Sequence, residues 1–166
     1  MGLIAIDPGS MLSAFVIWDG EKILDKGIID NQTMLGLLTP YPRSILYGIN
    51  TLVIERVTSY GMPVGESVFE TVYWSGRFHE AWQSQVGRAC NRITRKDIKL
   101  HLCGSMRAKD ANIRQALIDK FGKPGTIKAP NLVYGETNRV EDKMKADLWS
   151  ALAVAITWQT QNMKGG

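Results

Sequence analysis

The first apolar segment of the chain ends in an acid, and this feature constrains the fold more than any other. Residues 3–6 read Leu-Ile-Ala-Ile, and Asp7 follows them directly, with a Pro-Gly pair behind it. The apolar run predicts a buried strand, and the Pro-Gly pair predicts a sharp turn at its end. Burying an ionised carboxylate is costly unless it is paired or bound to a metal ion, which favours a functional role for Asp7. A simple turn residue is the alternative interpretation.

Three more apolar runs predict further strands. Residues 12–18 read LSAFVIW and residues 21–29 read EKILDKGII, with an Asp-Gly tight turn between them. Together with the first strand they predict an antiparallel meander. Residues 51–57, TLVIERV, resemble the first segment, because this β-branched run also carries an acid, Glu55, near its end. A charge on an edge strand is the alternative interpretation of Glu55.

The remainder of the chain predicts mainly helices. Prolines break residues 31–50 into short helical pieces, and residues 67–86 follow a helical pattern. Residues 98–104, IKLHLCG, alternate in polarity and predict a strand. Residues 108–122 predict an amphipathic helix, and a last helix is predicted to begin at Asn138 and to run close to the end of the sequence. This order of elements predicts a mixed α/β domain.

Length and composition predict a single globular domain over residues 1–166. The chain is 45% hydrophobic and 22% charged, as ordinary soluble domains are. No apolar run reaches the roughly 18 residues of a membrane span, and the N-terminus lacks the basic region of a signal peptide. The two cysteines form no CxxC pair and the histidines number only two, so a zinc site is not expected. We expect a cytoplasmic protein with reduced thiols, no membrane association and no small-molecule cofactor.

Positive charge is concentrated in one part of the chain. The net charge of +4 permits a polyanionic partner. Residues 88–128 hold eleven Lys and Arg side chains against three Asp side chains. A solvated helix surface would explain this excess, and contact with a polyanionic partner is the other interpretation. The side chains that suit phosphate contact are Arg88, Arg92, Arg95, Lys96, Lys99, Arg107 and Lys109.

Three acids flanked by apolar sequence are predicted to meet. Asp147 precedes the apolar run LWSALAVAITW of the last helix. If the strands that carry Asp7 and Glu55 are adjacent and parallel, and the helix packs on the sheet, the three carboxylates reach one sheet edge. A hard cation such as Mg²⁺ relieves their repulsion, and two such ions can activate a water and steady the leaving oxygen in phosphodiester cleavage. A solvated acid in the first turn of a helix is the alternative for Asp147.

Three motifs, IAIDPG, VIERV and ADLWSALAVAITW, together resemble the RuvC-type Holliday-junction resolvases of the ribonuclease-H-like superfamily, and most of all the phage-encoded members. The resemblance covers nearly the whole chain. It implies an α/β fold with a five-stranded mixed sheet, whose first three strands are antiparallel, flanked by helices. It also implies Mg²⁺-dependent or Mn²⁺-dependent nicking of four-way DNA junctions by a homodimer that leaves 5′-phosphate ends. The setting it implies is the cytoplasm of a bacterium or of a phage-infected cell.

The resemblance assigns roles to individual residues. Asp7 and Glu55 match the first two acidic metal ligands of the family, and Asp147 matches the first of two acids on the last helix. Lys99 and Lys109 resemble basic residues that the family uses near the scissile phosphate.

The sequence departs from the family at the second helical acid, where Ser150 stands. The fourth ligand is therefore open: a water held by Ser150, Glu141, Asp142 and Asp110 are the candidates. N-capping of a helix is the other interpretation of Asp110. Loss of activity is a further alternative.

Two regions outside the acids suggest contacts with DNA and with a second copy of the chain. The loop TSYGMPVGES follows Glu55, and Tyr60 or Met62 would wedge against unstacked bases, unless this is an ordinary surface loop. The helix over residues 68–82 carries more aromatic side chains than one face buries. A second apolar surface, and hence a dimer contact, is one interpretation, and a purely internal core is the other.

Three alternative functions remain beside a junction resolvase. The first is a broader nuclease for flaps and branched DNA with the same fold, which needs the same acids. The second is a junction-binding protein with little or no catalysis, which Ser150 favours. The third is a fragment of a sugar-kinase-like ATPase, for which 166 residues are expected to leave no room, because such an enzyme needs a duplicated domain and glycine-rich nucleotide loops.

Overall fold

The computed structural model describes residues 2–39, 46, 48–85, 87–122 and 146–163. Five strands and five helices occur in these residues. In chain order they are β1 (Leu3–Asp7), β2 (Leu12–Trp18), β3 (Ile23–Asp30), α1 (Asn31–Leu38), β4 (Thr51–Arg56), α2 (Glu66–Gln83), β5 (Ala89–Thr94), α3 (Arg95–Cys103), α4 (Asp110–Phe121) and α5 (Ala146–Met163).

The strands form one mixed sheet in the order β3-β2-β1-β4-β5. The first three strands pair antiparallel as a meander, whereas β4 runs parallel to both β1 and β5. This confirms the predicted meander and the predicted five-stranded mixed sheet. The central strand β1 is apolar on both faces because helices cover the sheet on both sides.

Two clusters of buried side chains lie on opposite faces of the sheet. On one face, Ala5 and Val53 pack against Leu152 and other residues of α5, and α3 and α4 lie beside that helix. On the other face, the Ile residues of β1 pack with α1 and with two aromatic rings of α2, Phe78 and Trp82. The helix α5 is buried nearly all around, which explains its almost continuous apolar sequence.

The predicted strand over residues 98–104 is wrong, because this segment belongs to the helix α3. Ile98 is buried and Leu102 packs against the same core, but Leu100 is 43% exposed. Ile98 and Leu102 are four residues apart, and such positions share a face both in a helix and in a strand. The alternating pattern therefore fitted a strand although the segment is helical. The helix begins at a capping box formed by Thr94 and Asp97, and this local signal distinguishes the two readings.

The predicted helices over residues 67–86 and 108–122 correspond to α2 and α4, and are confirmed. The predicted start of the last helix at Asn138 lies outside the described residues. None of the described helices is long and apolar enough to cross a membrane. Cys90 and Cys103 are both free thiols.

Candidate active site

Two adjacent parallel strands bring Asp7 and Glu55 to the same sheet edge. In the pairing of β1 with β4, Ala5 lies beside Val53 and Ile6 beside Ile54, so the two acids follow at the next position of each strand. Ala5 and Val53 face the core under α5. Because side chains alternate along a strand, Asp7 and Glu55 point to that same side. The condition on which the meeting of these two acids depended, that their strands are adjacent and parallel, is therefore met.

A buried hydrogen-bond network fixes the turn that follows Asp7. The Gly9 amide donates to Ser13 Oγ at 3.1 Å, the Ser13 hydroxyl donates to Asn31 Oδ1 at 2.6 Å, and Asn31 Nδ2 donates to the Gly9 carbonyl at 2.9 Å. Ser13 and Asn31 are both buried. A Cβ atom on Gly9 would lie 2.1 Å from the carbonyl oxygen of Leu12, so no side chain fits there. The turn therefore holds Asp7 in a defined position.

An open cavity of about 240 Å³ lies in front of the two acids. Tyr60, from the loop after β4, and Arg95 take part in its lining, and the Tyr60 side chain is 66% exposed. Its lining residues are Asp7, Pro8, Glu55, Arg56, Val57, Thr58, Tyr60 and Arg95. The two carboxylates are therefore accessible to a solute.

The guanidinium of Arg95 lies between three elements at this edge. Arg95 is the first residue of α3, directly after β5. One of its terminal nitrogens lies 3.3 Å from Glu55 Oε2 and 3.4 Å from Ser150 Oγ, and the other donates to Asp110 Oδ1 at 2.5 Å. Arg95 was expected to contact phosphate, and its contacts with Glu55 and Asp110 were not predicted. An arginine that opens a helix directly after an edge strand was the available signal, but that strand was not predicted.

The site carries an excess of negative charge. The pKa of Asp7 is raised to about 7, mainly by burial and also by the charges of Glu55 and Asp147, while the charge of Arg95 opposes the rise. Burial also raises the pKa of Glu55, against the opposing charges of Arg95 and Lys99. A cation bound beside these carboxylates would therefore be favoured.

The helix end of the site is looser than the sheet end. Asp147 is exposed in the first turn of α5, and Ser150 is half-buried one turn further on. No group of three or more acidic, histidine or cysteine side chains in the described parts of the chain is arranged to hold a metal ion. The structure thus brings Asp7 and Glu55 together, and the charge of Asp147 acts on Asp7. Two carboxylates with waters and a substrate phosphate still suit Mg²⁺, which keeps several waters in most protein sites.

The predicted capping role of Asp110 is wrong. The N-cap position of α4 is Lys109, whose amide donates to Asn112 Oδ1 at 2.8 Å. Asp110 is the first helical residue, and its side chain forms an ion pair with Arg95 instead. The other two candidates for the fourth ligand, Glu141 and Asp142, lie outside the described residues.

The predicted basic contacts divide into those near the cavity and those away from it. Lys99 follows Arg95 by one turn of α3, and its charge acts on Glu55. Lys96 is exposed on the same helix, and Lys109 is exposed beside Asp110.

Three other arginines lie further from the acids. Arg107 lines a separate groove between α3 and α4. Arg92 is exposed on β5 and pairs in register with Ile54, which faces the α2 side of the sheet. Arg88 precedes β5, about 20 Å from the edge with the acids for a six-residue strand. Its guanidinium lies 4.3 Å from the centre of the Trp82 ring and donates to the Ile49 carbonyl, so this side chain is engaged within the protein.

Exposed apolar side chains occur in the loop after β4 and on α2, the two regions predicted to contact DNA and a second copy of the chain. Tyr60 and Met62 both lie exposed in the loop between β4 and α2. On α2, Phe78 and Trp82 are buried, whereas Phe69 and Tyr73 are exposed. The aromatic residues of α2 are therefore not all core residues, and this helix presents an apolar surface to solvent.

Known structures share this architecture. The structure of RuvC from Thermus thermophilus has a TM-score of 0.68 at 14% sequence identity, covering 99% of this chain and 97% of that chain. A structure of T. thermophilus RuvC in complex with Holliday junction substrate has a TM-score of 0.71 at 15% identity, covering 99% and 96%. No protein-family model matches the sequence, and no curated protein matches it. The chain therefore has a RuvC-like, ribonuclease-H-like fold.

Proposed function

We propose that this chain is a metal-dependent DNA endonuclease that resolves four-way junctions by paired nicks, and that it belongs to the phage-encoded branch of the resolvases. One observation carries the proposal. Asp7 and Glu55 stand on one face at the ends of two adjacent parallel strands, beside an open cavity. They do so on a fold similar to that of RuvC, which has been solved with Holliday junction substrate.

The carboxylates are the groups that would hold the metal ion. Asp7 and Glu55 supply hard oxygen ligands from the rigid sheet, and Asp147 adds negative charge from α5. Ser150 contributes a hydroxyl at the same helix end. A divalent ion held there would activate a water for attack and stabilise charge on the scissile phosphate. The turn at Gly9 keeps Asp7 oriented for this task.

Basic and aromatic side chains around the cavity would hold the DNA. Lys99, whose charge acts on Glu55, suits the scissile phosphate, and Lys109 would join it from the start of α4. The exposed Lys96 would contact neighbouring phosphates of the backbone. Tyr60 lines the cavity and Met62 follows it in the same exposed loop, so both are positioned to stack against unstacked bases. Arg92 and Arg107 would contact more distant arms of a branched substrate.

A homodimer would pair two such sites. The exposed part of α2, with Phe69 and Tyr73, offers an apolar surface for the contact, and a two-fold axis there would suit symmetric nicks in a four-way junction. The mass of the chain in solution, measured by light scattering, is expected to be twice that of one chain. Tyr73→Glu is expected to give the mass of a single chain, and a monomeric wild-type protein would contradict this part of the proposal.

Cleavage of different DNA substrates tests the proposed activity. Four-way, flap and linear DNA are each incubated with the protein and Mg²⁺ or Mn²⁺. We expect the four-way junction to be cut fastest, and Asp7→Asn and Asp147→Asn to reduce its cleavage. Asp119→Asn, on the exposed part of α4, is the control and should cut normally. Faster cleavage of flaps would identify the broader branched-DNA nuclease, and equal cleavage of linear duplex would contradict structure selectivity.

A junction-binding protein with weak catalysis is the second candidate. Two observations favour it: Arg95 contacts Glu55, and no three-ligand group of acids occurs in the described residues. This candidate predicts tight junction binding in a gel-shift assay with no cleavage product under either metal ion.

A further inference from the structure

Arg95 is the only described cation that forms ion pairs with the acids at this sheet edge. Its contacts come from β4 through Glu55, from α4 through Asp110 and from α5 through Ser150. The Arg95 side chain is 19% exposed, and that of Glu55 is 16% exposed. An arginine keeps its charge at all physiological pH values and presents several donors in a fixed plane. The guanidinium is thus a permanent positive charge built into the site.

Ser150 matches this cation chemically. Its hydroxyl accepts a hydrogen bond from Arg95 without adding a negative charge. An acid at this position would attract a cation strongly, and a hydroxyl does so only weakly. Ser150 lacks the negative charge of an acid, and the guanidinium supplies a positive charge between Glu55 of β4 and Ser150 of α5. Both features reduce the attraction of a metal ion to this position.

Asp7 forms no ion pair with the guanidinium of Arg95. The ion pairs of Arg95 go to Glu55 and Asp110, and Asp7 makes no ion pair within the described residues. Only Oε2 of Glu55 contacts the guanidinium. Asp7 and the second oxygen of Glu55 thus remain for one cation on the cavity side.

Phosphodiester cleavage can use two divalent ions in one site. We propose that Arg95 takes the place of one of them here, so that each site binds a single divalent ion at Asp7 and Glu55. The second positive charge comes from the guanidinium, held by Glu55, Asp110 and Ser150. This inference rests on the proposed function in that the acids must bind a divalent ion. It goes further in fixing the number of ions and in naming the residue that acts in place of the other one.

The number of Mn²⁺ ions bound per chain, measured by calorimetric titration of the full-length protein without DNA, tests this inference. Wild type is expected to bind one ion. Ser150→Asp is also expected to bind one, because the new carboxylate pairs with Arg95. The double variant Arg95→Gln with Ser150→Asp is expected to bind two ions. Arg95→Gln alone should bind one ion about tenfold more tightly, since a repelling charge within several ångströms is removed.

The control is Lys120→Gln, which removes one positive charge from the last turn of α4, about 15 Å along the helix from Asp110. It should leave both the number and the affinity of bound ions unchanged. Thermal unfolding of each variant tests whether it is folded. The number of ions bound to wild type tests the inference even if a variant fails to fold.

Each other outcome overturns the inference. Two ions bound to wild type, or to Ser150→Asp alone, would mean that Arg95 does not replace an ion, while the proposed endonuclease would stand. One ion bound to the double variant would mean the same. No ion bound to wild type would overturn both this inference and the metal dependence of the proposed function.

Discussion

The two halves of the candidate site are built in different ways. The sheet half, Asp7 and Glu55, is part-buried and fixed by the pairing of two parallel strands and by the network around Gly9. The helix half, Asp147 and Ser150, lies at the first turns of α5, and Asp147 is exposed. The pairing of the strands thus determines the positions of the first two acids. The chemistry of the helix half depends instead on which side chain meets Arg95.

A substitution of Gly9 should disrupt the turn that holds Asp7 in the sheet half of the site. In Gly9→Ala the new Cβ would lie 2.1 Å from the Leu12 carbonyl oxygen, and the turn must move. We expect a loss of about 3 kcal/mol in the free energy of unfolding, measured by urea denaturation. Gly36→Ala is the matched control, because a Cβ there meets nothing within 4 Å, and it should stabilise α1 slightly. Equal effects at the two positions would show that the turn is not constrained.

The dependence of stability on pH tests the environment of Asp7 in the sheet half. The pKa of Asp7 is raised from 3.8 to about 7, so the folded protein holds a proton that the unfolded chain loses above pH 4. Stability is therefore lost as the pH rises from about 4 to 7 in the absence of metal ions.

Replacing Asp7 by Asn removes this loss. Asp7→Asn should stabilise the chain relative to wild type by about 2 kcal/mol more at pH 7 than at pH 5, since one pKa unit corresponds to about 1.4 kcal/mol. Denaturation of both proteins in EDTA at the two pH values measures it. A constant difference between the two proteins would contradict the raised pKa.

A substitution in the helix half should change the stability of the protein least. Asp147 is exposed and makes no ion pair within the described residues, so Asp147→Asn should change the free energy of unfolding by no more than about 0.5 kcal/mol. The same denaturation experiment at pH 7 measures it. A large change would mean that Asp147 is held as tightly as Asp7, and the contrast between the two halves would disappear.

The sequence predicts the sheet half well and the helix half poorly, for physical reasons. Apolar runs that end in Asp7 and Glu55 identify buried strands, whereas the adjacent, parallel pairing of these strands entered the prediction only as a condition. The strand β5 was missed because its only buried side chain is Ile93, so it carries no alternating pattern. Without β5, nothing places Arg95 at the sheet edge. Its contacts with Glu55 and Asp110 join residues from three elements and have no local signature.

Glu55 provides the most direct test of the central claim that the acids at the ends of β1 and β4 form the cutting site. The measurement is the single-turnover rate of four-way junction cleavage by Glu55→Gln in Mg²⁺, with junction affinity measured in parallel. Glu66→Gln, an exposed residue at the start of α2, is the matched control. We predict that Glu55→Gln binds the junction normally but cuts it more than about 100-fold more slowly, whereas Glu66→Gln cuts normally. Cleavage by Glu55→Gln at the wild-type rate would contradict the claim.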